Sequence, residues 1–220
     1  QAGFPYTKTL EELDLTRYDG MISELFLNEL ASCRFIEEKK NVIMLGNPGR
    51  RKTHMAIGLG LKACASGMSV LFKNASTLST ELAEAKNNYV LGKIEKKIQK
   101  ADLLIIDEIS MVRADLLDAV DMTLRKYRRD ERPFGGVQLL MIGDAQQLSP
   151  VVKDSERQYM AQVYPSPYFF HAKALQKLEY VTIELQKVYR QKDRDFLEIL
   201  NSARENRITE NVLSTLNARV

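Results

Sequence analysis

From position 41 onward, unbroken apolar runs of strand length alternate with stretches whose apolar residues recur at helical spacing. Residues 42–45, VIML, form the first run, and 69–73, 103–106, 137–142 and 180–185 supply four more strands. Residues 54–65 read as a helix rich in small side chains (Ala56, Gly58, Gly60, Ala63), suited to close packing on a sheet, with Gly67 to end it. Two further helices are predicted at 78–87 and 90–100, the second carrying Leu91, Ile94, Ile98 and Ala101 on one stripe. A longer one follows at 114–129, with Leu116, Leu117, Val120, Leu124 and Tyr127 inward, and closing helices at 193–205 and 210–219. Ahead of the alternation, Phe4-Pro5 and TLEELDL make an arm, and 21–36 an amphipathic helix. Strands alternating with helices predict an α/β fold with a mostly parallel sheet, its LLII run at 103–106 covered on both faces. The expected division is an N-terminal arm and helix at 1–40, an α/β core at 41–192, and a C-terminal helical segment at 193–220 packed on that core.

Composition alters this picture little. The 220 residues are 45% hydrophobic and 28% charged, as in ordinary globular proteins. No apolar run approaches the roughly 20 residues of a membrane helix, so no membrane association is expected. There is no signal-peptide pattern, and Gln1 at the start points to a processed or trimmed chain. Cys33 and Cys64 lack ligand spacing and suit a reducing, cytoplasmic setting. With His54 and His171 the only histidines, a transition-metal site is not expected.

A net charge of +3 does not by itself call for a polyanionic partner. Basic residues do gather at Arg125, Lys126, Arg128 and Arg129 around Tyr127, and PYFF at 167–170 is aromatic. Both are candidates for phosphate contact and base stacking on DNA. The plainer readings are a solvated helix end and core aromatics, and for PYFF the core reading is the stronger.

Chemistry concentrates in two places. NVIMLGNPGRRKT, residues 41–53, runs from a strand into a phosphate-binding loop with one departure: Arg51 stands where the second glycine is expected. In such a loop, successive backbone N–H groups and the next helix N-terminus surround a polyphosphate. Gly46, Asn47, Pro48, Gly49, Arg50, Arg51, Lys52, Thr53 and His54 are the candidate nucleotide-binding set. Lys52 neutralises phosphate in this reading, and the Thr53 hydroxyl holds Mg²⁺. Arg51 either obstructs the close approach that glycine permits or adds a favourable charge. The second place is LLIIDE, 103–108, a strand that ends in two carboxylates at the sheet's carboxyl edge. Asp107 is the candidate Mg²⁺ partner and Glu108 the candidate general base. Gln147, in GDAQQLSPV after the fourth strand, is placed to sense a γ phosphate, and Arg190 in VYRQ is a candidate charge-stabilising finger. Their plainer readings are a Gly-Asp turn and an ion-paired surface arginine.

Two resemblances then appear in one chain. FPYTKTLEELDL, RFIEEKKNVIMLGNPG, KTHMAIGLGLKACASG and DLLIIDE, within about 4–108, resemble the IstB and DnaC type of AAA+ ATPases, the transposition helpers and helicase loaders. ADLLIIDEISMVRADLLD, PFGGVQLLMIGDAQQLSPVV, SPYFF, YVTIELQKVYRQ and FLEILNSARENR, within about 101–220, resemble the first motor domain of Pif-type superfamily-one DNA helicases, relatives of RecD. The seam lies at the DLLIIDE strand, which both families share, so the chain reads as a natural or engineered recombinant. The resemblance implies a RecA-like P-loop NTPase, a three-layer sandwich with parallel strand order 5-1-4-3-2, an N-terminal helical arm and C-terminal helices. By the same likeness, catalytic roles fall to Glu108, Lys52, Gln147 and Arg190, and Mg²⁺ to Thr53 and Asp107, with ATP as nucleotide. Ser149 stands where these helicases more often have proline. The implied function is an ATP-binding and ATP-hydrolysing, DNA-associated motor, a helicase-like fragment rather than a complete helicase. Alternatives are an IstB/DnaC-like loading or transposition helper, and a catalytically impaired nucleotide- or DNA-binding module. The implied partners are DNA and a replication or transposition protein; a monomer is expected of the helicase-like reading, an oligomer of the helper.

Overall fold

The computed structural model describes residues 2–15, 22–47, 51–78, 80–81, 97, 99–144 and 149–185. Strands β1 (Asn41–Gly46), β2 (Val70–Asn74), β3 (Leu103–Asp107), β4 (Gln138–Gly143) and β5 (Tyr180–Leu185) form one sheet in the order β2-β3-β4-β1-β5. Every pairing is parallel. Read from the other edge this is 5-1-4-3-2, as expected from the sequence.

Helices cover both faces, because the apolar strands are apolar on both. Val42, Met44, Val70, Phe72, Leu103, Ile105, Leu140 and Ile142 point to one side. There they meet α1 (Glu24–Ala31), α2 (Arg34–Glu37), α3 (Lys52–Ala65) and the N-terminal arm. Ile43, Leu71, Leu104, Ile106, Leu139 and Met141 point to the other, against α4 (Ala114–Arg128), α5 (Asp154–Val163) and the turn around Phe169. The period-two alternation of strand side chains thus splits one continuous apolar run between two cores. β5, at the sheet's edge, buries only Ile183 and Leu185.

Several elements differ from expectation. The helix predicted at 21–36 is broken into α1 and α2 by Cys33, which takes a left-handed backbone at φ 59°. Ser23 caps α1 by accepting the Phe26 N–H at 3.1 Å, satisfying one orphan donor of the first turn. α3 begins at Lys52 rather than 54, so that Lys52 and Thr53 belong to its first turn. α5 occupies residues for which no element was predicted. Most of the helices expected at 78–87 and 90–100, and all of those at 193–205 and 210–219, lie outside the described residues.

Two members of the basic cluster at the end of α4, Arg125 and Arg128, make structural contacts, whereas Lys126 and Arg129 are exposed. Arg128 donates to the carbonyls of Gly135 at 2.7 Å, Gln99 at 2.7 Å and Ala101 at 2.9 Å. Arg125 pairs with the buried Asp121, whose other oxygen accepts the Phe134 N–H at 2.6 Å. Arg129 closes the helix in a left-handed conformation. The PYFF run divides between the two readings: Phe169 is buried, whereas Phe170 is exposed and stacks with Tyr168 at a centroid distance of 5.2 Å.

Candidate functional site

Parallel order brings the carboxyl ends of β1, β4 and β3 to one rim. Register places Leu45 opposite Gly143, and Ile142 opposite Asp107. After β1 the chain crosses to the far edge before β3 and β4 return inward, the topology that leaves a ligand crevice at strand ends. The loop after Gly46 turns into α3 here. Pro48, Gly49 and Arg50 lie outside the described residues, but both ends of the loop are described.

At its downstream end, Arg51 holds φ 52° and ψ 26°. This is the left-handed region where an L side chain costs about 1–2 kcal/mol and glycine costs little. The backbone at Arg51 therefore holds a conformation that glycine adopts at little cost. The Arg51 carbonyl still accepts the Met55 N–H at 2.9 Å, so α3 starts normally. Lys52 folds back over the loop, its ammonium donating to the carbonyls of Gly46 at 2.6 Å and Asn47 at 3.0 Å.

Thr53, one residue on, points across to β3. Its hydroxyl donates to the Asp107 carboxylate, with oxygen–oxygen distances of 3.1 and 3.3 Å. Two residues 54 positions apart in sequence thus meet at the rim. Burial pushes the Asp107 carboxyl above its ordinary range, against the Thr53 hydroxyl, the Glu108 N–H and the Lys52 charge, which favour its ionised form; the neighbouring Glu108 adds a smaller upward push. A cation beside it would relieve this cost of desolvation. One hydroxyl and one carboxylate form a hard oxygen donor pair of the kind a largely hydrated Mg²⁺ takes. No cluster of three or more His, Cys, Asp and Glu side chains suited to a metal exists among the described residues. The residues present fit a shared Mg²⁺-nucleotide site.

Glu108 follows Asp107 and is exposed, with a left-handed backbone at φ 57° and ψ 41°. Its N–H donates to Asp107 Oδ1 at 2.9 Å. Its carboxylate accepts from the Asn74 amide at 3.3 Å. Asn74 ends β2, next to β3, and it is a site residue that sequence reasoning missed. Only the pairing of β2 with β3, which sets Asn74 opposite Asp107, reveals it.

His54 turns away from the loop: its Nε2 lies 2.7 Å from the carbonyl of Thr9 in the N-terminal arm. Tyr6, further along that arm, comes within electrostatic reach of Asp107; burial and then the Asp107 charge raise its phenol pKa. Asp144, directly after β4, is buried at the same rim. Gln147 and Arg190 lie outside the described residues. The structure therefore gathers Gly46, Asn47, Arg51, Lys52, Thr53, Asp107 and Glu108 at one edge, and directs His54 to the arm.

Comparison with known proteins divides along the chain. Residues 1–124 match the model of the IstB-like ATP binding proteins, and residues 90–213 match that of the PIF1-like helicases. The human ATP-dependent DNA helicase PIF1 is 41% identical over 115 residues, covering 52% of this chain and 17% of that protein. The insertion sequence IS21 putative ATP-binding protein of Pseudomonas aeruginosa is 43% identical over 109 residues, covering 50% of this chain and 41% of that protein. A solved structure of Pif1 helicase from Bacteroides in complex with ADP-AlF3 and ssDNA aligns with a TM-score of 0.68 at 30% identity, over 84% of this chain and 48% of that one. A second Pif1 structure, addressing unwinding at forked duplex DNA, aligns at 0.73 and 29% identity over 89% of this chain and 51% of that one. A DNA replication initiation factor shares the fold at a TM-score of 0.52 and 16% identity. The chain spans about half the length of these solved helicases, and less of the curated relatives.

Proposed function

Because the chain belongs to the IstB-like ATP-binding family through residues 1–124 and to the PIF1-like helicase family through residues 90–213, we propose that it is the ATP-hydrolysing core of a DNA-associated motor. The observation that carries this reading is the meeting of Thr53 with Asp107 beneath a loop whose lysine is already folded over it. Lys52 would leave its two carbonyls for the β and γ phosphates of ATP, an exchange of neutral acceptors for charged ones. Thr53 and Asp107 would hold Mg²⁺, which supplies positive charge against the phosphates when bound. Glu108, oriented by Asn74, would accept the proton of the attacking water. Gln147 and Arg190 are the proposed γ-phosphate sensor and charge stabiliser. The substrate polymer is DNA, single-stranded or duplex, engaged in the cytoplasm by a monomer, with a replication or transposition protein as further partner. Core limits of 41–192, flanked by an arm and a helical segment, are part of the same reading.

Phosphate release from Mg²⁺-ATP, measured with and without single-stranded DNA, tests it. The chain as written should turn over ATP and be stimulated by DNA. Lys52→Ala and Glu108→Gln should each lose about a hundredfold or more, the scale of a lost charge-stabilising group or general base. Turnover that persists in Lys52→Ala would place the activity elsewhere. The IstB-like match over residues 1–124, which include the loop and the arm, favours a second reading, a helper ATPase. Sedimentation separates the two, since a helper assembles with ATP and a motor fragment stays monomeric.

A further inference from the structure

The N-terminal arm has no part in the reaction described above, yet it is fastened to the turn that carries Lys52 and Thr53. It starts at the sheet's edge, where the carbonyl of Ala2 accepts the Phe72 N–H of β2 at 2.8 Å. The Phe4 ring packs edge-on against Phe72 at 5.8 Å. Two glycines of α3 make room for the crossing: a Cβ at Gly60 would lie 2.7 Å from the Phe4 ring, and one at Gly58 would lie 2.6 Å from Leu10. Past Tyr6 the arm turns at Thr9, whose N–H donates to Glu12 at 3.1 Å. Glu11 then pairs with Lys62, two turns along α3, at 2.5 Å.

His54 stands at the centre of these contacts. It is 8% exposed, and its Nε2 lies 2.7 Å from the Thr9 carbonyl. A carbonyl only accepts, so Nε2 carries the proton and donates to the arm. The bond reaches the helix one residue after Thr53, in a first turn whose N–H groups lack intrahelical partners and which frays readily.

We infer that the arm is a strap latched at His54, and that His54 is a positioning residue that holds the first turn of α3 so that Lys52 and Thr53 are set for nucleotide. The consequence for ATP rests on the reading above; the latch itself does not. Loss of the bond removes one hydrogen bond's net contribution, about a fivefold change in the local opening equilibrium. Because Thr53 is used in ground and transition states alike, the kinetic effect falls on KM rather than kcat.

Amide exchange and steady-state kinetics on the full chain test this with His54→Ala and His54→Gln. Gln is the control that keeps a donor near the position of Nε2. In His54→Ala without nucleotide, exchange at the Met55 amide, bonded to Arg51 across the first turn, should quicken about fivefold. Exchange at the Met68 amide, bonded to Ala63 at the far end of α3, should not change, which shows that the variant is folded. KM for ATP should rise about fivefold with kcat within about twofold, and His54→Gln should restore both readouts. Unchanged Met55 exchange in His54→Ala, or no rescue by His54→Gln, overturns the latch. Faster exchange with unchanged KM overturns the positioning role. A parent chain that turns over no ATP counts against the ATP reading, and the exchange result then decides the latch alone.

Discussion

Replacing Arg51 by glycine separates the backbone's contribution to the loop from the side chain's. Arg51 sits at φ 52° and ψ 26°, where a Cβ costs about 1–2 kcal/mol. Glycine removes that strain, but its unfolded chain is freer by about 0.5–1 kcal/mol. At the middle of both ranges Arg51→Gly is more stable by about 0.75 kcal/mol, or about 1.5–3 °C in melting temperature for a chain of this size. Arg51→Ala keeps the Cβ and the strain, and should gain nothing. Thermal melting of the parent and both variants, followed by phosphate release at saturating Mg²⁺-ATP, is the assay. Since the glycine conformation is already present, turnover in Arg51→Gly should stay within about threefold of the parent unless the guanidinium contacts phosphate, a contact worth about 1.5–3 kcal/mol and so more than tenfold. Equal stabilisation by Ala and Gly would refute the reasoning, because the cost would then belong to the side chain and not to φ.

Three further outcomes follow from the geometry. Asp107→Asn should raise the stability of the nucleotide-free protein near neutral pH while abolishing Mg²⁺-dependent turnover. Its folded-state pKa lies above the ordinary 3.8, so the wild-type carboxyl's contribution is fully present below 3.8 and is lost as pH rises through the folded value. The Asn advantage should accordingly vanish in melts run below that point, and an advantage independent of pH would contradict the assignment. Asn74→Ala should lower kcat about tenfold with little change in KM, because it frees the Glu108 carboxylate without touching the loop; a KM effect alone would exclude an orienting role. Asp121→Ala removes the acceptor of the Phe134 N–H and the partner of Arg125, so chemical denaturation should show a loss of about 2–3 kcal/mol, and a loss below 1 kcal/mol would mean that water replaces the carboxylate.

The strands were legible because a buried parallel strand is an apolar run with nothing else to be. β5 was expected at 180–185 and observed there, and the others moved by a residue at their ends. Lys52, Thr53, Asp107 and Glu108 were legible as types at fixed spacing. The break in α1–α2 was not, since Cys33 adopts a left-handed backbone with no glycine or proline to announce it. α5 escaped for a different reason: of its ten residues only Met160 is buried, so its sequence carries no apolar stripe. Asn74 and the His54–Thr9 contact were invisible because both are made by chain segments distant in sequence. An asparagine at a strand end becomes a partner of Glu108 only when β2 is known to lie beside β3. The contacts of Arg128 were invisible for a related reason, because a guanidinium with five donors serves backbone carbonyls as readily as phosphates.

How two lineages share one site follows from the strand order. β1, with the loop and α3, lies in the segment matching the IstB-like family alone, and β4 and β5 lie in that matching the PIF1-like family alone; β3 lies in both. Yet β1 is hydrogen-bonded between β4 and β5, so the two segments are interleaved rather than set side by side. The join is therefore tested along the whole length of β1, and it is satisfied there to the level of single groups. Asn41, 1% exposed at the start of β1, donates its amide to the Glu179 carbonyl at 2.9 Å and accepts the Leu139 N–H at 2.8 Å. One buried side chain thus ties both foreign strands, and an unmatched register would leave that amide without partners at a cost of about 1–3 kcal/mol. Because register across the sheet fixes which residues end level at the rim, the same pairing that satisfies Asn41 at the bottom of β1 sets Leu45 beside Gly143 at the top, and β4 in turn sets Ile142 beside Asp107. A join within β3 is compatible with the site for this reason: β4 and β5 belong to the second segment, yet their parallel register on β1 keeps the strand ends level, and Thr53 of the first segment meets Asp107 at 3.1 Å.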